Sequence, residues 1–136
     1  MAVAFTYAWA PRVRALLRLV AGLMFLLHGT QKLFAFPDPS QAMPGLPPLM
    51  MVAAIIELVA GALIAIGLLT RCAAFVASGE MAVAYFKAHA PGNFWPSMNH
   101  GELAVLYCFV FLYFAFAGAG AWSIDGLIGR NRATTP

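Results

Sequence analysis

LMMVAAIIELVAGALIAIGLL, residues 49–69, contains a single charged residue, Glu57, and follows the helix-initiating pair Pro47-Pro48. A helix needs about 20 predominantly apolar residues to cross the hydrocarbon core of a bilayer, and this stretch meets that length. The rest of the chain is similar, since 62% of its 136 residues are hydrophobic and 10% are charged. A soluble domain of this size, with about 25% charged residues, could not bury so much apolar surface. The sequence therefore predicts an integral membrane protein.

Three further apolar segments flank this one and predict helices over residues 13–34, 72–88 and 101–121. Together the four segments predict an all-α, four-transmembrane-helix bundle that forms a single membrane domain over residues 1–136. Residues 122–136 are more polar, and we expect them to form a short cytoplasmic tail. Close helix contacts are expected at the glycines, as is common in membranes, at positions 22, 61, 67, 79, 118 and 120.

The arginines indicate the orientation of the bundle. Arg12 and Arg14 precede the first segment, Arg71 lies between the second and third, and Arg130 and Arg132 are near the end of the chain. Because Lys and Arg are enriched in cytoplasmic loops, both termini are expected in the cytoplasm and the two longer loops outside. We expect a multi-pass protein of a bacterial cell membrane, the inner membrane. The net charge of +3 is small and dispersed, which favours membrane lipid as a partner and indicates no nucleic acid.

Polar side chains inside the apolar segments are the first candidate functional residues. A carboxylate at the centre of a membrane helix costs about 2.5–3.5 kcal/mol, so Glu57 and Glu80 should face the bundle interior. With a rise of about 1.5 Å per residue, His28 lies at the depth of Glu57, and Lys32 follows one turn later on the same face. We predict His28, Glu57 and Glu80 as catalytic residues, the first two as proton donors. The alternative is a polar network that only fixes helix register.

A second group of polar residues lies at the ends of the segments that are predicted to face outward. These residues are expected to bind a substrate: Gln31, Lys32, Asn99, His100 and Glu102. Simpler interpretations are that Lys32 extends to the interface and that His100 is a solvent-exposed loop residue. No His-x-x-x-His spacing is present, and no metal is predicted. Cys72 and Cys108 are expected at different depths, which predicts neither a disulfide nor a dithiol relay.

The order and spacing of several short motifs resemble the DoxX family. The positions that resemble its first helix are Arg18-Leu19, Gly22, Phe25, His28-Gly29 and Lys32-Leu33. Those that resemble its second helix and the turn after it are Glu57-Leu58, Gly61, Gly67-Leu68 and Arg71. Those that resemble its last helix and its ending are Asn99, Gly101-Glu102, Leu103, Gly118, Gly120, Trp122-Ser123 and Asp125. The resemblance covers the chain from about Arg18 to Asp125.

The resemblance implies a small four-helix membrane protein that is classed among oxidoreductase components. The related DoxD proteins are linked with a thiosulfate:quinone oxidoreductase. The polar positions that match the family are His28, Lys32, Glu57, Asn99 and Glu102. We therefore expect a membrane subunit of a redox system that binds a quinone or another small electron acceptor in an outward-facing polar pocket. A flavin or metal would reside in a soluble or membrane-bound redox partner.

Two other functions stay open on the sequence. A small proton-linked transporter would use Glu57 and Glu80 as a relay, but the polar residues between Glu80 and the cytoplasmic face are few. A non-catalytic anchor or assembly subunit would hold a soluble partner through the outer loops. Each function is compatible with a homo-oligomer.

Overall fold

The computed structural model describes residues 2–133, and side chains over residues 5–129. All regular structure in this part of the chain is helical, which confirms the all-α prediction. The helices are α1 (Ala2–Phe34), α2 (Pro48–Ile66), α3 (Thr70–Ala84), α4 (Pro96–Asn99), α5 (Glu102–Ala117) and α6 (Ile124–Ala133). A 3-10 turn, Pro39–Gln41, lies in the first loop, and a π-helical turn, Tyr85–His89, extends α3.

The four long helices form two tightly packed pairs. One pair is α1 with α2, and the other is α3 with α5. Contact between α2 and α3 is less extensive, and α1 meets α5 only locally. Because α2 and α3 are joined by a tight turn, the two pairs are held together there and separate toward the opposite end of the bundle. This separation creates the space in which the candidate site lies.

Three glycines bring the backbones of α1 and α2 into contact. A Cβ added at Gly22, Gly29 or Gly61 would lie 2.6 Å from a backbone nitrogen of the opposing helix. Carbon and nitrogen atoms that are not bonded do not approach so closely, so any side chain at these positions would push the helices apart. Small residues allow helices in membranes to pack in this way. The predicted contact role of Gly22 and Gly61 is confirmed.

Arg18 connects three separate segments of the chain. Its side chain is 2% exposed and donates from Nε to the carbonyl of Ala119 at 2.9 Å. Nη1 donates to the carbonyls of Ile64 and Ala65, both at 2.7 Å, and Nη2 donates to the carbonyl of Trp122 at 2.8 Å. The carbonyls at the C-terminus of α2 have no partners within the helix, and a positive charge there also interacts favourably with the helix dipole.

Two more arginines and an aspartate bind helix ends beside Arg18. Arg14 and Arg71 donate to carbonyls in the last turn of α5. Asp125 accepts hydrogen bonds of 2.8 and 2.9 Å from two backbone N–H groups at the start of α3. Burial acts to raise the pKa of Asp125, but these backbone hydrogen bonds and the charge of Arg18 outweigh it and hold the pKa below 3.8. We call the end defined by these four residues the arginine end.

The helix boundaries differ from the expected ones at three places. α1 begins at Ala2 instead of near residue 13. α2 and α5 end earlier than residues 69 and 121, because Gly67 and Gly118 adopt φ angles of 72° and 75°, which a continuing right-handed helix does not allow. Within the predicted tail, residues 124–133 form a further helix, α6.

The outer surface of the bundle is strongly apolar. Within the described residues, α2 is the helix that is long and apolar enough to cross a membrane, and α5 is apolar but shorter. Large apolar side chains point outward from every long helix, among them Leu16, Leu23, Ile55, Val59, Phe75, Phe109 and Phe116. An exposed apolar surface of this extent is typical of contact with a membrane or with another protein.

Candidate functional site

A cavity of about 910 Å³ opens between the two helix pairs, away from the arginine end. It lies toward the loops at residues 35–47 and 90–101, which we call the loop end. Its walls are mostly aliphatic and include Met50, Val52, Ile56, Val76, Val83 and Leu103. The size falls within the range of small-molecule sites in proteins, about 300–1,000 Å³.

An ion pair joins α1 and α2 at the cavity wall. Lys32 Nζ donates to Glu57 Oε1 at 2.6 Å, and the Glu57 side chain is 3% exposed. The pair forms because Gly29, one turn before Lys32, lets α1 pack directly against the backbone of Leu58. Counting depth from the helix ends put His28, and not Lys32, at the level of Glu57, yet Lys32 is the residue that pairs with Glu57. The ring of His28 lies edge-on to Tyr107 instead, at 6.1 Å between ring centroids.

Three buried polar atoms in the cavity wall have no hydrogen-bond partner. They are Glu57 Oε2, Glu80 Oε2 and Tyr107 Oη, three of the five such side-chain atoms in the described part of the chain. The charge of Glu57 acts on both Glu80 and Tyr107, and Lys32 also acts on Glu80, so these four residues form one group, which we call the polar cluster. An unpaired buried polar atom costs about 1–3 kcal/mol, and native proteins contain few of them. Their concentration here indicates a ligand position.

Aromatic packing closes the site toward the arginine end. Phe25 of α1 and Phe111 of α5 are fully buried, and their ring centroids are 4.7 Å apart. Both also contact Tyr107, at centroid distances of 5.7 and 5.3 Å. Because Phe111 follows Tyr107 by one turn, the phenol ring of Tyr107 rests on this pair. The position of the Tyr107 hydroxyl is therefore fixed by packing.

Gly79 keeps part of the cavity empty. A Cβ added there would meet no atom within 4 Å, although the residue is next to Glu80 and lines the cavity. The prediction that Gly79 allows close helix packing is therefore wrong. Glycine costs about 1 kcal/mol relative to alanine inside a helix, and here it leaves open space instead of a contact. Nothing in the sequence distinguishes it from Gly22 or Gly61, which do pack against a neighbouring helix.

Two residues predicted to bind substrate instead organise the loops. Gln31 donates from Nε2 to the carbonyl of Asp38 at 2.8 Å and accepts the N–H of Asp38 at 3.0 Å. Asn99 donates to the carbonyl of Asn93 at 2.7 Å and accepts the N–H of Gly101 at 2.7 Å. Neither lines the cavity. Their amide groups are already used in shaping the loop end.

The rim of the cavity carries further basic groups. His100 lines it as predicted, whereas Glu102 is exposed in the first turn of α5 and does not. Lys87 and His89, which were not among the predicted site residues, also line the cavity and lie in the π-helical turn Tyr85–His89. Such turns are frequent at functional sites because they shift side chains out of regular helical register. The sequence could have indicated these two residues by their position, since both lie at the outer end of the third apolar segment.

Possible metal ligands and the two cysteines are dispersed in the described part of the chain. No group of three His, Cys, Asp or Glu side chains there is arranged to hold a metal ion. Cys72 and Cys108 are both free, Cys72 at the exposed start of α3 and Cys108 beside Ser78. Ser78 Oγ donates to the carbonyl of Cys108 at 2.8 Å, which uses its hydroxyl.

Comparison with known proteins identifies the relatives of this chain and its family. It is 47% identical over 122 residues to an uncharacterized protein of Haemophilus influenzae, an alignment that covers 86% of this chain and 91% of that protein. It is 33% identical over 150 aligned positions to an uncharacterized membrane protein of Mycobacterium tuberculosis, covering 94% of this chain and 88% of that protein. No solved structure matches significantly. A sequence model of the DoxX family matches residues 13–90, more than half of the chain, so the protein is a membrane protein that belongs to the DoxX family, as its motifs predicted.

Proposed function

We propose that this protein is a membrane subunit of a redox system and that its cavity binds a quinone. The observation that carries the proposal is the polar cluster, Lys32, Glu57, Glu80 and Tyr107, in a cavity whose walls are mostly aliphatic. A membrane quinone has a matching shape, since it combines a flat ring bearing two polar oxygens with a hydrocarbon tail. The ring would lie at the polar cluster, and the tail would follow the aliphatic walls toward the lipid.

The proposal includes an arrangement in the membrane. Helices α1, α2, α3 with its π-helical turn, and α5 each cross the bilayer, so the protein is a multi-pass protein of the bacterial inner membrane. The apolar side chains on the outer surface of all four helices support this arrangement. The arginine end faces the cytoplasm together with both termini, because basic residues are enriched on that side. The cavity then lies in the outer half of the bilayer and opens laterally between α2 and α3.

The polar cluster supplies suitable chemistry for a quinone. Lys32 has three ammonium hydrogens and uses one on Glu57, and the hydroxyl of Tyr107 is free to donate, so both have hydrogens for a ring oxygen. Reduction of a quinone to a quinol adds two electrons and two protons. The electrons would come from a redox partner that docks at the loop end, where Phe94 and Trp95 are exposed. The protons would pass through the carboxyl groups of Glu57 and Glu80.

Gly79 offers a direct test. Leucine at this position would fill open space in the cavity, whereas alanine would add one methyl group to it. Protein purified from membranes in mild detergent is extracted, and its quinone content per chain is measured by mass spectrometry. We expect wild type and Gly79→Ala to retain quinone and Gly79→Leu to lose at least nine-tenths of it. Equal thermal unfolding of the two variants is the control for folding. Wild-type quinone content in Gly79→Leu, or no quinone in any form of the protein, would contradict the proposal.

The two alternative functions receive less support. A transporter needs a polar path from Glu80 toward the arginine end, but the buried polar side chains between them are few: Ser78, Thr70 and Arg18. The described interior around them is mostly apolar: Ala74, Ala77, Phe111 and Phe114. An anchoring subunit has no need of a cavity with unpaired carboxylates. Uptake of a small solute by vesicles that contain the reconstituted protein, under an applied proton gradient, would favour the transporter. Such uptake would not depend on the quinone content of the protein.

A further inference from the structure

We infer that the polar cluster binds the reduced, dihydroxy form of the ring, the quinol, more tightly than the quinone. The inference rests on the proposed function, because it concerns which form of the same ligand the cavity prefers. It follows from the hydrogen-bonding capacity of each atom at the site.

Glu57 is the group that distinguishes the two forms. Its Oε1 accepts a charge-assisted hydrogen bond from the Lys32 ammonium at 2.6 Å. A charged carboxylate can only accept hydrogen bonds, and its buried Oε2 has no donor. The oxygen of a quinone is also only an acceptor, so a quinone placed here leaves Glu57 Oε2 unpaired. The hydroxyl of a quinol donates a charge-assisted hydrogen bond to it.

Glu80 adds a second unpaired oxygen to the site but serves both forms. Its Oε2 is likewise buried without a hydrogen-bond partner. A carboxyl group accepts hydrogen bonds when it is ionised and also donates one when it is protonated, so Glu80 can pair with a quinone or with a quinol.

The remaining groups of the site do not reverse this preference. The free hydrogens of Lys32 would bind a quinone oxygen, but the oxygen of a quinol hydroxyl also accepts, so Lys32 serves both forms. Lys87 at the rim, like Lys32, donates to either form. The phenol of Tyr107 can donate or accept and serves both forms. The same holds for the imidazoles that line the cavity: His28, His89 and His100. Only the carboxylate of Glu57, which is ion-paired with Lys32, discriminates, and it favours the quinol.

Such a preference has an electrochemical consequence. Tighter binding of the reduced form raises the midpoint potential of the bound couple, by about 30 mV for each tenfold ratio of dissociation constants in a two-electron reaction. Bound quinone would then accept electrons more readily than quinone in the surrounding lipid. This suits a site that receives electrons from a redox partner.

The experiment compares the two forms on the same protein. A short-tailed benzoquinone and its quinol are titrated, without oxygen, against the full-length protein in nanodiscs. We expect a dissociation constant at least tenfold lower for the quinol. Glu57→Gln replaces one acceptor oxygen by a donating NH₂ group, and the ratio should fall toward one. Glu102→Gln, an exposed carboxylate outside the cavity, is the matched control and should keep the wild-type ratio.

Each result has a distinct meaning. If neither form binds, the proposed function fails. If both bind with equal affinity, or the quinone binds more tightly, the preference is wrong and quinone binding stands. Tyr107→Phe gives a second check, because losing a group that serves both forms should weaken both and leave their ratio unchanged. The wild-type ratio decides the question even where Glu57→Gln does not fold.

Discussion

Replacing Arg18 by methionine should lower the free energy of unfolding by about 3–5 kcal/mol, the cost of breaking a buried charged network. The side chain makes four hydrogen bonds of 2.7–2.9 Å to backbone carbonyls. Charged hydrogen bonds contribute about 1.5–3 kcal/mol each, so simple addition gives a larger value. The loss is smaller than that sum because methionine fills part of the space and because the carbonyl of Ile64 keeps its bond from the N–H of Gly67, at 3.1 Å.

The assay is denaturant unfolding in detergent micelles, followed by far-ultraviolet circular dichroism. Arg12→Met is the matched control, because Arg12 is exposed on the same helix and donates to the carbonyl of Ala8 within α1. Its loss should cost no more than about 0.5 kcal/mol. Arg18→Lys should fall between the two, since an ammonium group lacks the planar fork that reaches separate carbonyls. Equal stability of Arg18→Met and Arg12→Met would refute the role assigned to Arg18.

Three further predictions concern the helix contact, the arginine end and the loop end. Gly22→Ala should destabilise the protein by about 1–3 kcal/mol in the same unfolding assay, because its Cβ would lie 2.6 Å from the backbone nitrogen of Ala65. Asp125→Asn should cost about 1 kcal/mol at neutral pH. The pKa of Asp125 is lowered on folding, so the difference in free energy of unfolding between wild type and Asp125→Asn should be complete above pH 3.8. It should disappear as the pH falls through the lower pKa of the folded state. A difference that does not change with pH would be inconsistent with this cause. Asn99→Ala should increase proteolysis of residues 90–101 while leaving quinone content unchanged, and a loss of quinone would return Asn99 to the site.

The helices were predictable from the sequence because long apolar runs determine them directly. The ends of the helices depend on tertiary contacts and were therefore harder to predict from the sequence. α5 stops at Ala117 because Gly118 begins a turn, and that turn presents the carbonyl of Ala119 to Arg18, a residue a hundred positions earlier. No local pattern relates Arg18 to this turn. The sequence showed Arg18 only as a charge that interrupts an apolar helix.

The sequence indicated how deep in the bundle the site residues lie, but not which face of each helix they occupy. Counting residues from the helix ends placed His28 and Glu57 in one layer with Lys32 a turn away, and the structure brings all three to one cavity. Which of them would contact Glu57 depended on the face of α1 that the glycines press against α2. Gln31 and Asn99 lie outside the cavity because their amides find partners in the loop backbone, whose path no sequence periodicity reveals. The catalytic and binding roles of these residues stay predictions.

The cavity is costly to maintain, and this cost is the strongest argument that it serves a ligand. A glycine inside α3 costs about 1 kcal/mol relative to alanine, and each unpaired buried atom of Glu57, Glu80 and Tyr107 costs about 1–3 kcal/mol. A purely structural network would gain stability from a larger residue at Gly79 and from apolar residues in place of the two acids, since well-packed hydrophobic residues commonly replace buried charges without loss. Open space and unpaired acceptors at one place are instead the arrangement in which a bound molecule supplies both the missing packing and the missing hydrogen bonds.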